Sequence, residues 1–195
     1  WIAGGSSVLS TVLGTLAAVA ARNAFRGRRA YSTLVTLPIT VPDIVLAIAL
    51  LALYEMLSIP LSLGTAIVAH TTFNLAYVAV VVSARLQGLD RTVELAAQDL
   101  GATPVGAFWK VTFPAIAPAV FSGAMLSFTL SFDDFVVTYF TTGPGNTTLP
   151  VKIYSMVRFR LTPEINAVST VILGVSLLLI VAALAPAQLA ELHGT

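Results

Sequence analysis

The chain has 195 residues, of which 57% are hydrophobic and only 10% are charged, and its formal net charge is +1. Soluble domains carry roughly 25% charged residues, and a chain of this length could not bury so much apolar surface in water. The composition therefore excludes an ordinary soluble domain, a disordered chain and a basic nucleic-acid-binding domain. Because the chain has no Cys, disulfides, thiolate metal sites and Cys nucleophiles are excluded as well. What remains is a protein whose solvent is lipid.

Long uncharged stretches separate the ten basic and nine acidic residues. A helix needs roughly 20 apolar residues to cross the hydrocarbon layer, where unpaired backbone groups are not tolerated. We therefore predict an all-α, polytopic membrane bundle that forms a single domain. Its five spans are expected near 2–21, 32–54, 64–84, 115–140 and 166–186. Pro38 and Pro42 remove helical hydrogen bonds, so a kink is expected in the second span.

The predicted loops carry unequal numbers of basic residues. Seven lie in 22–31 and 85–114, whereas only Lys152, Arg158 and Arg160 lie on the other side. Loops rich in Lys and Arg face the cytoplasm, so the N-terminus is predicted outside and the C-terminus inside. The arginines follow the first apolar run, which is the reverse of a signal peptide. Because the chain begins with Trp1, we expect a missing N-terminal segment.

The loop 85–114 is predicted to form two short helices at the membrane surface. Apolar residues at helical spacing in 93–100 predict a first helix that ends at Gly101. Thr103-Pro104 is typical of a new helix start, and the second helix is expected over 105–111, ending near Pro114. Two interpretations remain open: a solvated amphipathic connector, or a docking helix for a cytoplasmic partner. The small residues Ala96 and Ala97 would let a partner backbone come close.

Three acidic residues lie in or near the predicted spans, where charge is costly. They are Asp43, Asp133 and Asp134, and all three are candidates for a substrate pathway. The alternative is that they pair with helix N-termini, hydroxyl groups or nearby arginines. For Asp43, a hinge or cap after Pro42 is the favoured interpretation. His70 and Asn74 share a face of the third span, and interhelical hydrogen bonding is favoured over ligand binding for them. The two His residues alone cannot form a metal site.

The loop motif resembles a signature of bacterial ABC importer permeases. That signature reads EAA, three residues, Gly, nine residues and then Ile-x-Leu-Pro. Here Leu95-Ala96-Ala97, Gly101 and Val111-Thr112-Phe113-Pro114 have the same spacing. Leu95 stands at the Glu position, and Glu94 comes one residue earlier. The resemblance implies that Glu94, Leu95, Ala96, Ala97, Asp99, Gly101 and Pro114 contact an ATP-binding subunit.

Further segments resemble the second permease subunit of spermidine/putrescine importers, including 42–45, 126–134, 142–144 and 163–167. The resemblance covers essentially the whole chain and implies the type-1 permease fold, with six spans in a full-length chain. It also implies inward transport of polyamines by alternating access in a bacterial inner membrane. The implied partners are a second permease, an ATP-binding subunit dimer and an external substrate-binding protein.

ATP hydrolysis is expected in the separate subunit, because the sequence has no GxxxxGK[ST] motif. No cofactor and no catalytic residue is therefore expected in this chain. The alternatives are an ABC permease for another small solute and an ion-coupled secondary transporter that uses Asp133 and Asp134 as a relay.

Overall fold

The computed structural model describes the backbone of residues 1–22, 25–159 and 163–192, and the side chains of all of these except 159, 163–165 and 182–192. Arg160 and His193, the second His residue of the sequence, lie outside the described residues. Among the described residues, every regular secondary-structure element is a helix. The helices are α1 (Ile2–Arg22), α2 (Arg28–Thr40), α3 (Asp43–Met56), α4 (Leu63–Gln87), α5 (Arg91–Asp99), α6 (Pro104–Ala107), α7 (Phe113–Asp133), α8 (Val136–Thr141), α9 (Leu149–Phe159) and α10 (Pro163–Leu192).

Helices α1, α4 and α7 pack against one another and form the centre of the bundle. Helix α4 contributes the most buried residues, and α10 packs on α7. One end of this bundle carries Arg22, Arg85 and Arg91, and we call it the arginine-rich end. The opposite end, where α1 and α4 begin and α7 finishes, is called the far end.

Close backbone contact between α1 and α4 depends on a glycine. A Cβ atom added at Gly14 would lie 2.7 Å from the Cβ of Val78 and 2.8 Å from the carbonyl oxygen of Leu75. Small residues of this kind drive helix association in lipid, where packing replaces the hydrophobic effect. Val78 is fully buried and continues into an apolar cluster with Ala18, Val82, Leu86 and Ile116.

The predicted second span is broken rather than only kinked. Helix α2 ends at Thr40, α3 begins at Asp43, and the two helices meet at 107°. Pro42 has no N–H to donate and disfavours helical geometry at Val41, whose backbone is extended. The predicted kink is therefore confirmed at Pro42, whereas Pro38 lies inside α2 without breaking it.

The predicted end of the second loop helix near Pro114 is wrong, because the helix continues into α7. Residues 108–112 form a π turn that joins α6 to α7, giving one helical segment over Pro104–Asp133. The Phe113 N–H donates to the carbonyl oxygen of Phe108, five residues back. Pro114 cannot donate a bond of its own, so the wider turn lets the helix continue across it.

Helix α7 also ends earlier than the predicted fourth span, 115–140. Asp134 has an extended backbone, and a new helix, α8, begins at Val136. The side chain of Asp134 accepts bonds from the N–H groups of Val137 and Thr138. Because an Asp side chain satisfies these first-turn donors, it favours a helix start at this point.

Within the described residues, three helical segments are long and apolar enough to cross a membrane: Ile2–Arg22, Leu63–Gln87 and Pro104–Asp133. The bent pair α2–α3 would bring the number to four if it counts as one span. The apolar stretch Asn166–Val181 in α10 is shorter. Five membrane crossings therefore remain a prediction.

We expect Gly14→Ala to lower the thermal unfolding midpoint of the purified protein. The added methyl group would overpack the contact with Val78, a change that costs about 1–3 kcal/mol. Gly4→Ala is the matched control, because it lies in the same helix and its Cβ would meet nothing within 4 Å. Equal midpoints for the two variants would contradict the close α1–α4 packing.

Candidate functional site

A cavity of about 270 Å³ opens at the far end of the bundle. Its walls come from the starts of α1 and α4, the junction of α7 and α8, and residues 147–150. Ser131, Asp134 and Thr138 supply polar groups, and Asp134 is the one charged side chain among the described lining residues. The cavity is therefore suited to a small solute that carries positive charge.

A buried chain of hydrogen bonds leads from α1 to this cavity. The Ser6 hydroxyl donates to Ser131 Oγ at 3.0 Å, and Ser131 Oγ lies 2.6 Å from His70 Nδ1. His70 Nε2 lies 2.9 Å from Thr138 Oγ1, which donates to Asp134 Oδ2 at 3.1 Å. His70 is completely buried, and its two ring nitrogens are satisfied by the hydroxyl groups of Ser131 and Thr138. The network links four helices through side chains.

This network was not predicted, although the spacing of four serines in the sequence indicates part of it. Ser6 and Ser10 are four residues apart on α1, and Ser127 and Ser131 are four residues apart on α7. The two serine pairs meet, because the hydroxyl oxygens of Ser10 and Ser127 lie 2.7 Å apart. Small hydroxyl residues at this spacing are typical of helix contacts in lipid. The predicted interhelical hydrogen bonding is confirmed for His70. It is wrong for Asn74, whose buried side-chain amide has no hydrogen-bond partner among the described residues.

The three acidic pathway candidates lie in different surroundings. Asp134 lines the cavity, with its side chain 10% exposed and Oδ2 3.4 Å from His70 Nε2. Asp133 is exposed and does not line the cavity. Asp43 is exposed in the first turn of α3, beside the break after Pro42. The structure thus brings only Asp134 of the three to the described cavity.

The arginine-rich end carries the helical segment predicted from the loop 85–114. Helix α5 begins after Asp90, whose carboxylate accepts the Thr92 N–H at 2.9 Å. Hydrogen bonding to Thr92 lowers the pKa of Asp90, so this cap is present at neutral pH and is lost only as the pH falls through that lowered value. Gly101 ends the segment with a φ of 92°, in the left-handed region that glycine favours. The Thr103 hydroxyl then accepts the Gly106 N–H and begins α6.

Large apolar side chains are exposed along this segment. Leu100, beside the glycine turn, is 90% exposed, and Leu95 and Val105 are also exposed. Ala96, Asp99 and Pro114 are exposed, and Ala97 is half-buried. Exposed apolar residues of this density, on a polar surface, are typical of a contact surface for another protein.

Glu94 points in a different direction from these exposed residues. Its Oε2 accepts bonds from Arg22 Nη1 at 2.5 Å and from the Thr112 hydroxyl at 3.0 Å. The Glu94 side chain is only 25% exposed and that of Arg22 only 13%. The carboxylate thus contacts α1 and the π turn of its own chain.

A second cavity, of about 780 Å³, lies at the arginine-rich end between α1, α2 and α4. Arg22, Arg28 and Arg91 line it, and the described lining residues include no acidic side chain. The two described cavities therefore differ in the sign of their charge.

We expect His70→Ala to destabilise the protein, because the buried hydroxyl groups of Ser131 and Thr138 would each lose one of their hydrogen-bond partners. An unsatisfied buried polar group costs about 1–3 kcal/mol. The measurement is the thermal unfolding midpoint in detergent, with Val68→Ala as the control on the exposed face of α4. If the two variants unfold at the same temperature, the network does not support the bundle.

Comparison with known proteins agrees on one family. The profile described as "Binding-protein-dependent transport system inner membrane component" matches residues 10–189. The putrescine transport system permease protein PotI of Escherichia coli (strain K12) is 46% identical over 181 residues, which cover 89% of this chain and 64% of PotI. The spermidine/putrescine transport system permease protein PotC of the same organism is 44% identical over 178 residues, which cover 91% of this chain and 67% of PotC.

The aligned part of this chain thus spans about two thirds of the length of each relative. A chain of the MetNI methionine ABC transporter, solved in inward facing conformations, matches the fold with a TM-score of 0.69 and 18% identity. That match covers 94% of this chain and 90% of the MetNI chain. The fold is therefore that of an ABC importer permease, as the sequence resemblance predicted. This chain belongs to the family of binding-protein-dependent transport system inner membrane components.

Proposed function

We propose that this chain is a membrane-spanning permease subunit of an ATP-driven importer that moves polyamines inward by alternating access. Two named relatives, PotI and PotC, are permeases of putrescine and spermidine/putrescine systems. The observation that carries the proposal is the separation of two surfaces: an apolar contact surface at the arginine-rich end and an acidic cavity at the far end. A polyamine transporter driven by a separate ATPase needs a surface to bind the ATPase and a site to bind the cation.

The proposed partners follow from these surfaces. An ATP-binding subunit dimer docks at the arginine-rich end through the exposed apolar side chains near Gly101. A substrate-binding protein delivers the polyamine at the far end, and a second permease completes the pathway. The arginine-rich end is then cytoplasmic, in agreement with the positive-inside rule, and the C-terminus is cytoplasmic as well.

Asp134 is the proposed contact for one ammonium group of the polyamine. Opposite unit charges about 4 Å apart attract by about 4 kcal/mol at an effective dielectric constant of 20. Part of this energy offsets the lost hydration of the ammonium group. The N–H groups of Val137 and Thr138 and the Thr138 hydroxyl donate to the carboxylate and hold it at the cavity wall. Asp134 therefore combines a structural role at the start of α8 with a proposed role in binding.

We expect Asp134→Asn to reduce putrescine uptake by the reconstituted complex about tenfold, since a tenfold change corresponds to about 1.4 kcal/mol of lost attraction. The matched control is Asp133→Asn, which removes the neighbouring exposed carboxylate and leaves uptake near the wild-type level. Labelled putrescine and spermidine are the substrates to measure. A larger loss with Asp133→Asn would reject the assignment of Asp134.

The wild-type complex tests the function itself. ATP-dependent uptake of either polyamine supports the proposal. Uptake of neither, with ATP hydrolysis intact, would indicate an ABC permease for another solute. Uptake that stops with an uncoupler while ATP remains would indicate an ion-coupled transporter instead.

The docking surface has its own test in Gly101→Ala. An alanine is strained at a φ of 92° by about 1–2 kcal/mol, so the turn that presents Leu100 would change. We expect less ATPase subunit to co-purify with this variant. Gly88→Ala is the control, because Gly88 has a negative φ and its added Cβ would meet only Arg85 at 3.6 Å. Equal recovery of the ATPase subunit from both variants would contradict docking at this turn.

A further inference from the structure

The carboxylate of Glu94 joins three elements at the arginine-rich end. One oxygen, Oε2, accepts from the guanidinium group of Arg22 at the end of α1 and from the hydroxyl of Thr112 at the end of the π turn. Thr112 is 3% exposed, so the bond is shielded from water on that side. Charge-assisted bonds of this kind are roughly twice as strong as neutral ones.

A second hydrogen bond joins α5 to α1, and in this bond the donor belongs to α5. The guanidinium group of Arg91, at the start of α5, donates to the backbone carbonyl of Arg22 at 2.7 Å. A basic side chain at the C-terminal end of α1 satisfies a carbonyl that has no helical partner and complements the helix dipole. Helix α5 is thus fastened to α1 by a bond at Arg91 and by one at Glu94, one turn apart.

We propose that Glu94 is a positioning residue for energy coupling: it fastens the docking segment, residues 91–107, to α1 and to the π turn before α7 of its own chain instead of contacting the ATPase subunit. This inference rests on the proposed function. Leu95, at the position where the family signature has Glu, is 56% exposed and takes the outward place. Compared with the family signature, the acidic residue of this chain therefore stands one position earlier, and its side chain faces the bundle.

The contact with Thr112 shortens the path from the docking segment to α7. Along the chain, that path runs from α5 through the Gly101 turn, α6 and the π turn. The bond between Glu94 and Thr112, the last residue of the π turn, bypasses the Gly101 turn and α6, so a displacement of α5 reaches the start of α7. Helix α7 leads to Asp134 at the far end, and the serine contacts hold it to α1 along the way. Without Glu94, α5 would keep the Arg91 bond to α1 but would lose its hydrogen bond to Thr112, next to the start of α7.

The test uses the full transport complex in proteoliposomes with three variants: Glu94→Ala, Arg22→Gln and Thr112→Val. We expect each variant to retain the ATPase subunit on purification. We also expect polyamine uptake per ATP hydrolysed to fall roughly tenfold, the size associated with one lost charge-assisted bond. Matched controls are Arg29→Gln and Thr33→Val, which alter exposed residues of α2 at the same end and are expected to behave as wild type.

A charge exchange keeps the test decisive if a single variant folds poorly. The double variant Arg22→Glu with Glu94→Arg is expected to recover coupling relative to either single reversal. Loss of the ATPase subunit with Glu94→Ala, together with wild-type behaviour of Arg22→Gln and Thr112→Val, would overturn the inference and assign Glu94 to the subunit contact. Wild-type coupling in all three variants would overturn it as well.

If the proposed function is wrong, the wild-type complex itself takes up no polyamine, which distinguishes this outcome from a failure of the inference about Glu94. In that case the stimulation of ATP hydrolysis by the substrate-binding protein replaces uptake as the measure of coupling. Unchanged stimulation in the three variants would then overturn the inference.

Discussion

In a membrane bundle, hydrogen bonds between buried side chains stabilise one arrangement of the helices over others, and the packing of α1, α4 and α7 depends on such pairs. Helices α1 and α7 meet through pairs of serine hydroxyls, and α4 joins them through His70. Each bond fixes the rotation of a helix about its axis, because a rotated helix would leave a hydroxyl or ring nitrogen unpaired. Apolar packing alone is less specific in lipid, where the surrounding chains are as apolar as the helices. The hydrogen-bonded stripe therefore determines which faces of α1, α4 and α7 meet.

The division of charge between the two ends follows from the same bundle. Asp134 is held at the far cavity by the start of α8, whereas three arginines line the cavity at the other end. The carboxylate is held at its end by the start of α8, and Arg22 and Arg91 are held at the other end by the contacts between α1 and α5. The proposed route of a cation thus begins beside negative charge, and the proposed ATPase contact lies beside positive charge. The bundle thus separates the proposed substrate contact from the proposed ATPase contact.

Local features could be predicted from the sequence, and distant contacts could not. Pro42 predicts the break in the second span, and Gly101 with Thr103-Pro104 predicts the turn between two loop helices. These signals act through backbone geometry within a few residues, so a single sequence carries them. The π turn before Pro114 and the helix start at Asp134 were missed, because an apolar run continues through both positions. The contact between Arg22 and Glu94 joins residues 72 positions apart, and nothing local indicates it.

The glycine contact between α1 and α4 has a mechanical consequence. Because the backbones touch at Gly14, these helices cannot slide past each other without first separating, and α7 is bonded to both. We therefore expect the three helices to move as one rigid body. Helix α7 has 21 residues and is about 30 Å long at 1.5 Å per residue. A tilt of the body by about 1° at one end therefore displaces the other end by about 0.5 Å. A tilt of a few degrees would shift the wall of the far cavity by more than the difference between a good and a broken hydrogen bond.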